Sequence, residues 1–242
     1  MKFNGIDPTT VHPAIRISKE IPPGTATITN RTLTATDGEI LTGREISAGR
    51  YTVRVNIAAR TPAEAWEARE KLAAWAAGSG EGTGELEPTH RPGRVYDAVL
   101  ESIDDPEFTR GFATLDVVFF VPRPIVHNRM TSYAQGGGEL LARIDGSHPA
   151  RPVIRQTLVQ DCERLTWTMD GKDLLEIEGA FIAGTIIEMD TAKEKLTIDG
   201  VAAMTAINPQ RTRWRPGFRP GAHAIASTDG GAMEMRWREE WL

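Results

Sequence analysis

Tyr51–Gly78 reads YTVRVNIAARTPAEAWEAREKLAAWAAG, and its hydrophobic period changes once, between Ala59 and Thr61. Before the change, Tyr51, Val53, Val55, Ile57 and Ala59 alternate with Thr52, Arg54, Asn56 and Ala58, the period of two that turns one face of a strand toward a core. After it, Ala65, Ala68, Leu72, Trp75 and Ala76 recur at helical spacing, while Glu64, Glu67, Arg69, Glu70 and Lys71 stay polar. Both ends carry stop signals: Thr61 as N-cap, Pro62 at the first helical position, Glu64 completing a capping box, and Gly78 just past the end. The pattern predicts a helix over 62–77 whose apolar stripe must pack on something. No other segment of the chain reads as convincingly helical.

Working outward, Gly78–Gly84 (GSGEGTG) looks like a phosphate loop but follows a helix, lacks Lys-Ser or Lys-Thr, and carries Glu81. It reads as a flexible connection. Arg94–Ile103 and Gly111–Val121 read as strands joined near Asp104-Asp105-Pro106. In VPRPIVHNRMTSYAQGGG, Val121–Gly138, prolines and three successive glycines interrupt all periodicity, which predicts a domain boundary. We expect one domain over 1–128, a linker over 129–138 and a second domain over 139–242.

The second domain reads as a string of hairpins. Asp-Gly pairs begin at Asp37, Asp145, Asp170, Asp199 and Asp229, and four of the five fall in this half, where the dipeptide favours tight turns. Between them Ile154, Leu158, Leu165, Trp167, Met169, Leu174, Ile177, Phe181, Ile186, Ile187, Leu196, Ile198 and Val201 supply about six short strands, the signature of a sandwich or barrel. Met233, Met235, Trp237, Glu239 and Trp241 alternate with Glu234, Arg236, Arg238 and Glu240 in a last strand, 233–242.

Twenty-eight Lys and Arg against 33 Asp and Glu give a net charge of -5, which disfavours adhesion to a phosphate backbone. The single cysteine, Cys162, can form neither an intrachain disulfide nor a thiolate metal cage, so synthesis in a reducing cytoplasm is expected. Met1–Thr10 has no apolar run of the signal-peptide kind and no stretch is apolar enough to span a bilayer. The five histidines show no metal-ligand spacing. No serine sits in a GxSxG setting, and Glu239 beside Glu240 on a strand points to opposite faces, so neither a triad nor a facing carboxylate pair can be nominated. Catalytic, cofactor and metal sites are therefore expected to be absent.

Two surfaces are candidates for contact. RTRWRPGFRPG, Arg211–Gly221, interleaves arginines with aromatics and contains no acid, so Arg213, Trp214, Arg215, Phe218 and Arg219 could meet a glycan or a protein partner; the alternative is a proline-pinned loop packed on its own domain. The helix, with Trp66, Arg69, Leu72 and Trp75, and the nearby Phe112 form a candidate contact with a second copy of the chain.

The order of elements then carries a resemblance. FNGID at Phe3–Asp7, a strand, the capped helix WEAREKLAAWAAG, the strand GFATLDVVFFVPRP, and later LLEIEGAFIAGTIIEMD, LTIDG, PGAHAI and RWREEWL are similar, in order, to the distal tail proteins of long noncontractile-tailed bacteriophages. The resemblance implies a mainly β protein of two domains, a tube-like N-terminal β domain with one helix and a galectin-like β sandwich. It implies a hexameric ring in the virion tail, joining the tail tube protein to the tail-tip or tail-associated protein and to receptor-binding proteins, with phage DNA passing through a channel that does not grip it. In such proteins the chain end can return to the first domain, which leaves the place of strand 233–242 open. A stand-alone carbohydrate-binding module, reading glycans through Trp214, Trp167 or Trp237, is the competing reading.

Overall fold

The strand and helix of Tyr51–Gly78 lie together in a computed structural model that describes residues 1–24, 27–32, 39–78, 82–214 and 217–242, with 27–32 and 39–45 described as backbone alone. The chain divides into two compact units, residues 1–126 with Leu242, and residues 127–241.

The first unit runs β1 (Lys2–Phe3), α1 (Pro8–Val11), β2 (Ile15–Ile21), β3 (Thr27–Thr32), β4 (Glu39–Glu45), β5 (Gly49–Ala58), α2 (Pro62–Ala77), β6 (Gly84–Glu87), β7 (Arg94–Ile103), β8 (Glu107–Thr109) and β9 (Phe112–Val121). Its sheet follows the order β1-β6-β7-β9-β5-β2, and β8 continues the line of β7 along β9. β5 and β9 pair without a break from Gly49↔Val121 to Ala58↔Phe112. The alternation read from sequence is what the pairing uses: Tyr51, Val53, Val55 and Ile57 of β5 share a buried face with Leu115, Val117 and Phe119 of β9.

Helix α2 covers that core with Ala65, Ala68, Leu72, Trp75 and Ala76, the expected stripe. Burying Leu72 alone is worth about 2 kcal/mol. At its start Thr61 Oγ1 accepts from Glu64 N (3.3 Å), while the Glu64 carboxylate accepts from Arg60 N (2.7 Å), so the capping box closes one residue early. Gly78 ends the helix at φ 69°, a conformation that disfavours a side chain. Trp75 meets Phe3 and Phe119 edge-on at 6.0 and 6.2 Å and donates its indole N–H to Ile6 O, which fixes the FNGID segment to the helix. The four-residue α1, capped by Asp7, is a helix the sequence reading did not contain.

The division between the units falls within β10 (Val126–Asn128), and the second unit continues with β11 (Ser132–Gly137), β12 (Glu139–Ile144), β13 (Val153–Thr157), β14 (Cys162–Met169), β15 (Lys172–Phe181), β16 (Ile186–Asp190), β17 (Lys195–Ile198), β18 (Val201–Ala202), β19 (Gly221–Ser227), β20 (Ala232–Trp237) and β21 (Glu240–Trp241). Ten of these form one path, β15-β14-β19-β12-β11-β20-β13-β16-β17-β18. The path must double back. Trp167 on β14 donates to Gln156 on β13 across 2.5 Å, although five strand spacings of about 4.8 Å, roughly 24 Å, would separate them in a flat sheet.

The fold line lies where β11 and β12 share a single pair, Gly137↔Glu139. This corrects the expected linker at 129–138: Ser132–Gly137 is a strand paired with β20 along its whole length, and the three glycines make a corner between layers. A Cβ on Gly136 would stand 2.1 Å from Glu139 O, and Gly138 has φ 55°. Only glycine permits so close a backbone approach.

Two Asp-Gly pairs make the expected two-residue hairpins, Asp170-Gly171 between β14 and β15 and Asp199-Gly200 between β17 and β18, all four residues at positive φ. Asp145-Gly146 and Asp229-Gly230 instead carry the chain from one layer to the other. The Asp229 carboxylate accepts from Val159 N, Gln160 N and Gly231 N and so ties two crossovers together. Asp37-Gly38 lies outside the described residues. In the last segment β20 lies between β11 and β13, inside the second sheet, while β21 pairs with β10. No helix among the described residues is long and apolar enough to cross a membrane.

Candidate functional site

The helix stripe does two jobs poorly at once, and the structure assigns it one. Leu72 is fully buried and Trp75 is 8% exposed in the unit's own core, so both are removed from the candidate copy-to-copy contact. Trp66 remains 43% exposed. The Arg69 guanidinium lies 5.2 Å over its ring and donates to the carbonyls of Ile103 and Asp104, with Asp105 at 3.4 Å. Arg69 thereby holds the indole flat against the helix and anchors the helix to the β7–β8 turn.

Phe112 is exposed but belongs to the sheet face opposite α2, because its neighbour Ala113 is the buried one. Trp66 and Phe112 are therefore not one surface. On the face of Phe112, exposed Val99 and Phe120 are direct cross-strand partners. They are framed by Arg50 gripping Glu101 (2.7–2.9 Å) and Arg54 gripping Asp116 (2.8 and 2.9 Å). Each pair cancels the charge of its own guanidinium, while Arg16 and Lys19, opposite Asn56 and Arg54 in register, add cations to the same face.

In the second unit the arginine-rich segment begins as an edge cover. Asn208 N and Arg213 N donate to the carbonyls of Glu176 and Leu174, and Ile207 bridges to Ile177, so residues 207–213 occupy the open edge of β15. Glu176 fastens them. Its carboxylate, almost fully buried, accepts from Arg211 Nη1 (2.8 Å) and Asn208 Nδ2 (2.7 Å), and the Arg211 bond holds it below the usual carboxylate range against the cost of burial. An edge covered in this way is closed to strand addition. Sequence reasoning missed Glu176, which stands among apolar neighbours of a strand and shows its partner only in three dimensions.

Of the candidate contact residues, Arg213 and Arg219 are exposed, Trp214 is half-buried against the second core, and Phe218 is 1% exposed. Arg215 lies outside the described residues. Phe218 is thus a core residue, edge-on to His223 at 5.7 Å. Trp214 and Phe218 wall a cleft of about 170 Å³ with His148, Ala150 and Thr191. The glycan reading loses two of its three tryptophans: Trp167 and Trp237 are buried, their N–H groups spent on Gln156 and Glu239.

Three titratable groupings remain. His223 bridges Asp170 (2.8 Å) and Arg219 O (2.7 Å), and His148 lies 2.9 Å from Glu240; both serve as clasps between segments, with no nucleophile beside them among their described contacts. Glu239 is 5% exposed, accepts from Trp237 Nε1 (2.6 Å), and leaves Oε2 without a hydrogen-bond partner. Burial pushes its carboxyl above the usual range, and nearby Asp145 pushes the same way. Among the described residues no group of three or more His, Cys, Asp or Glu could hold a metal ion.

Residues 145–241 match the model of the siphovirus-type tail component, C-terminal domain. Over the whole chain the fold is similar to the crystal structure of SPP1 Dit, described as a paradigm of the hub adsorption apparatus in phages infecting Gram-positive bacteria. The TM-score is 0.80 at 14% identity, covering 100% of this chain and 98% of that one. The phage P2 baseplate in its activated conformation with Ca matches at TM-score 0.45 and 10% identity over 93% of this chain and 90% of that chain, a likeness too low to argue from. No curated protein matches the sequence. The resemblance read from the order of elements is thus met twice: the chain has the mainly β fold of SPP1 Dit over its full length, and its residues 145–241 match the siphovirus-type tail component family.

Proposed function

We propose that this chain is a structural hub protein of a siphovirus-type tail, working as a ring of six copies at the distal end of the tail tube. The observation that carries the reading is coverage: the likeness to SPP1 Dit leaves nothing of this chain over, so no added domain has to be given a separate role. In the ring the first unit provides the copy-to-copy contacts and meets the tube protein. The second unit offers its outer surface to tail-tip or receptor-binding proteins, and the exposed Arg213 and Arg219 beside the Trp214 cleft are its candidate contacts. The work is scaffolding and needs no reactive group.

A head-to-tail contact closes into a ring when its rotation divides a full turn, so six copies demand two different complementary surfaces on each copy. Native mass spectrometry and negative-stain images of the same sample are the test. A particle of six or twelve chain masses with a central hole is expected. A chain that stays monomeric at all concentrations, also with tube protein present, would sink the reading.

A further inference from the structure

We propose that copies of this chain join through unlike edges of the first unit's sheet, Lys19 on β2 of one copy entering the acidic hollow beside β8 of the next. The inference rests on the ring reading and names its contact.

β2 ends the sheet path and pairs only with β5, and β8 pairs only with β9. Among the described residues both have a free outer edge. The β2 edge is basic. Lys19 is exposed and makes no hydrogen bond or ion pair among the described residues, and exposed Arg16 donates only to the uncharged carbonyls of Pro13 and Ile15. Glu20, the one acid of the strand, is spent on Tyr51, Thr89 and the N-terminal ammonium. Ile21 adds an apolar surface, 40% exposed.

The β8 edge is the reverse. Asp104, Asp105, Glu107 and Asp116 line a hollow of about 430 Å³ with Arg54. Arg54 is committed to Asp116, and Asp105 is paired with Arg69. The carboxylates of Asp104 and Glu107 make no hydrogen bond or ion pair with any described side chain, and Phe108, 38% exposed, supplies an apolar surface beside them. The exposed Arg110, at the turn into β9, is the one cation at the far end of this edge.

Charge then decides which edges meet. β2 against β2 sets Lys19 and Arg16 of two copies face to face, and β8 against β8 does the same with carboxylates; both repel. The unlike pairing alone attracts, and it is the head-to-tail geometry that closes a ring. A continued backbone ladder is discouraged on both sides, by the bulge between Ile17 and Lys19 and by Pro106 before a three-residue strand. The contact is made by side chains.

The test is a charge swap in the full chain, read as particle mass. Arg16→Glu with Lys19→Glu makes both edges acidic, and Asp104→Lys with Glu107→Lys makes both basic. Each variant alone is expected to stay monomeric where the natural chain assembles, raising the assembly midpoint by about tenfold or more. An equimolar mixture of the two restores the particle as an alternating ring, which also shows that both variants fold. If the natural chain assembles and the variants assemble equally well, or the mixture fails to recover the particle, the contact is wrong while the ring stands. A natural chain that never assembles overturns both.

Discussion

The two units hide the apolar face of a sheet by opposite means. In the first, a separate element does it: α2 lays Ala65, Ala68, Leu72, Trp75 and Ala76 on the strands. In the second, the sheet covers itself, turning over at Gly136–Gly138 so that Trp167 reaches Gln156 from the facing layer. A helical cover tolerates variation at its edges, since each contact is one side chain deep. A self-covering sheet depends on a few backbone positions where no side chain fits, and its buried polar groups must find partners across the layers.

The comparison breaks most visibly at those positions. Gly136→Ala drives a Cβ into Glu139 O and is expected to destabilise the second unit by about 3 kcal/mol, at the top of the overpacking range, read as loss of its calorimetric transition. Leu72→Ala should cost the first unit about 3 kcal/mol by removing packing that nothing refills, measured by denaturant unfolding. If the glycine change proved the milder by far, the corner would not be the weak point of the second unit.

Smaller effects sharpen the electrostatic side. Arg211→Ala leaves the Glu176 carboxylate almost fully buried without its cation and should lower the melting temperature of the second unit at neutral pH. Because Glu176 titrates below its unfolded value, the stability it contributes is present above the ordinary carboxylate range and is lost as pH falls through the lowered value. The gap between the natural chain and the variant should therefore narrow in acid; a gap independent of pH would contradict the pairing.

Glu239 has the opposite sign. Its folded value is raised, so its favourable contribution is present below the unfolded value and is lost as pH rises through the folded one. Glu239→Gln keeps an acceptor for Trp237 and removes the charge. It should melt slightly higher than the natural chain at neutral pH, the difference closing on acidification. Smallest of all, Trp66→Ala should alter monomer stability by no more than about 0.5 kcal/mol, since the ring is already half in water.

The first unit was legible because its signals are local. Alternation in Tyr51–Ala59, the stripe and the caps at Thr61, Glu64 and Gly78 each lie within one turn or one strand, and each appears in the structure where it was read. The candidate contact was only partly legible. Leu72 and Trp75 were grouped with Trp66 on one helix, but a single stripe cannot both fill a core and face a neighbour. Phe112 opens β9 of the same sheet and points away from the helix, because one residue of register separates the two faces. Phe218 looked like a ligand-stacking aromatic in a basic loop and is core, a distinction of burial that composition does not carry.

The sequence by itself determined a β-rich chain of two halves, the position and buried stripe of its long helix, and tight turns at its Asp-Gly pairs, since these follow from periodicity and backbone preference within a few residues. Tertiary structure alone decided that Gly136–Gly138 is a corner and not a linker, which two Asp-Gly pairs close hairpins, that Glu176 with Arg211 closes a sheet edge, and that β2 and β8, of opposite charge, lie at sheet edges unpaired among the described residues. Those facts depend on which distant strands become neighbours. That is settled by the summed burial of both faces and leaves no mark on any one stretch of chain.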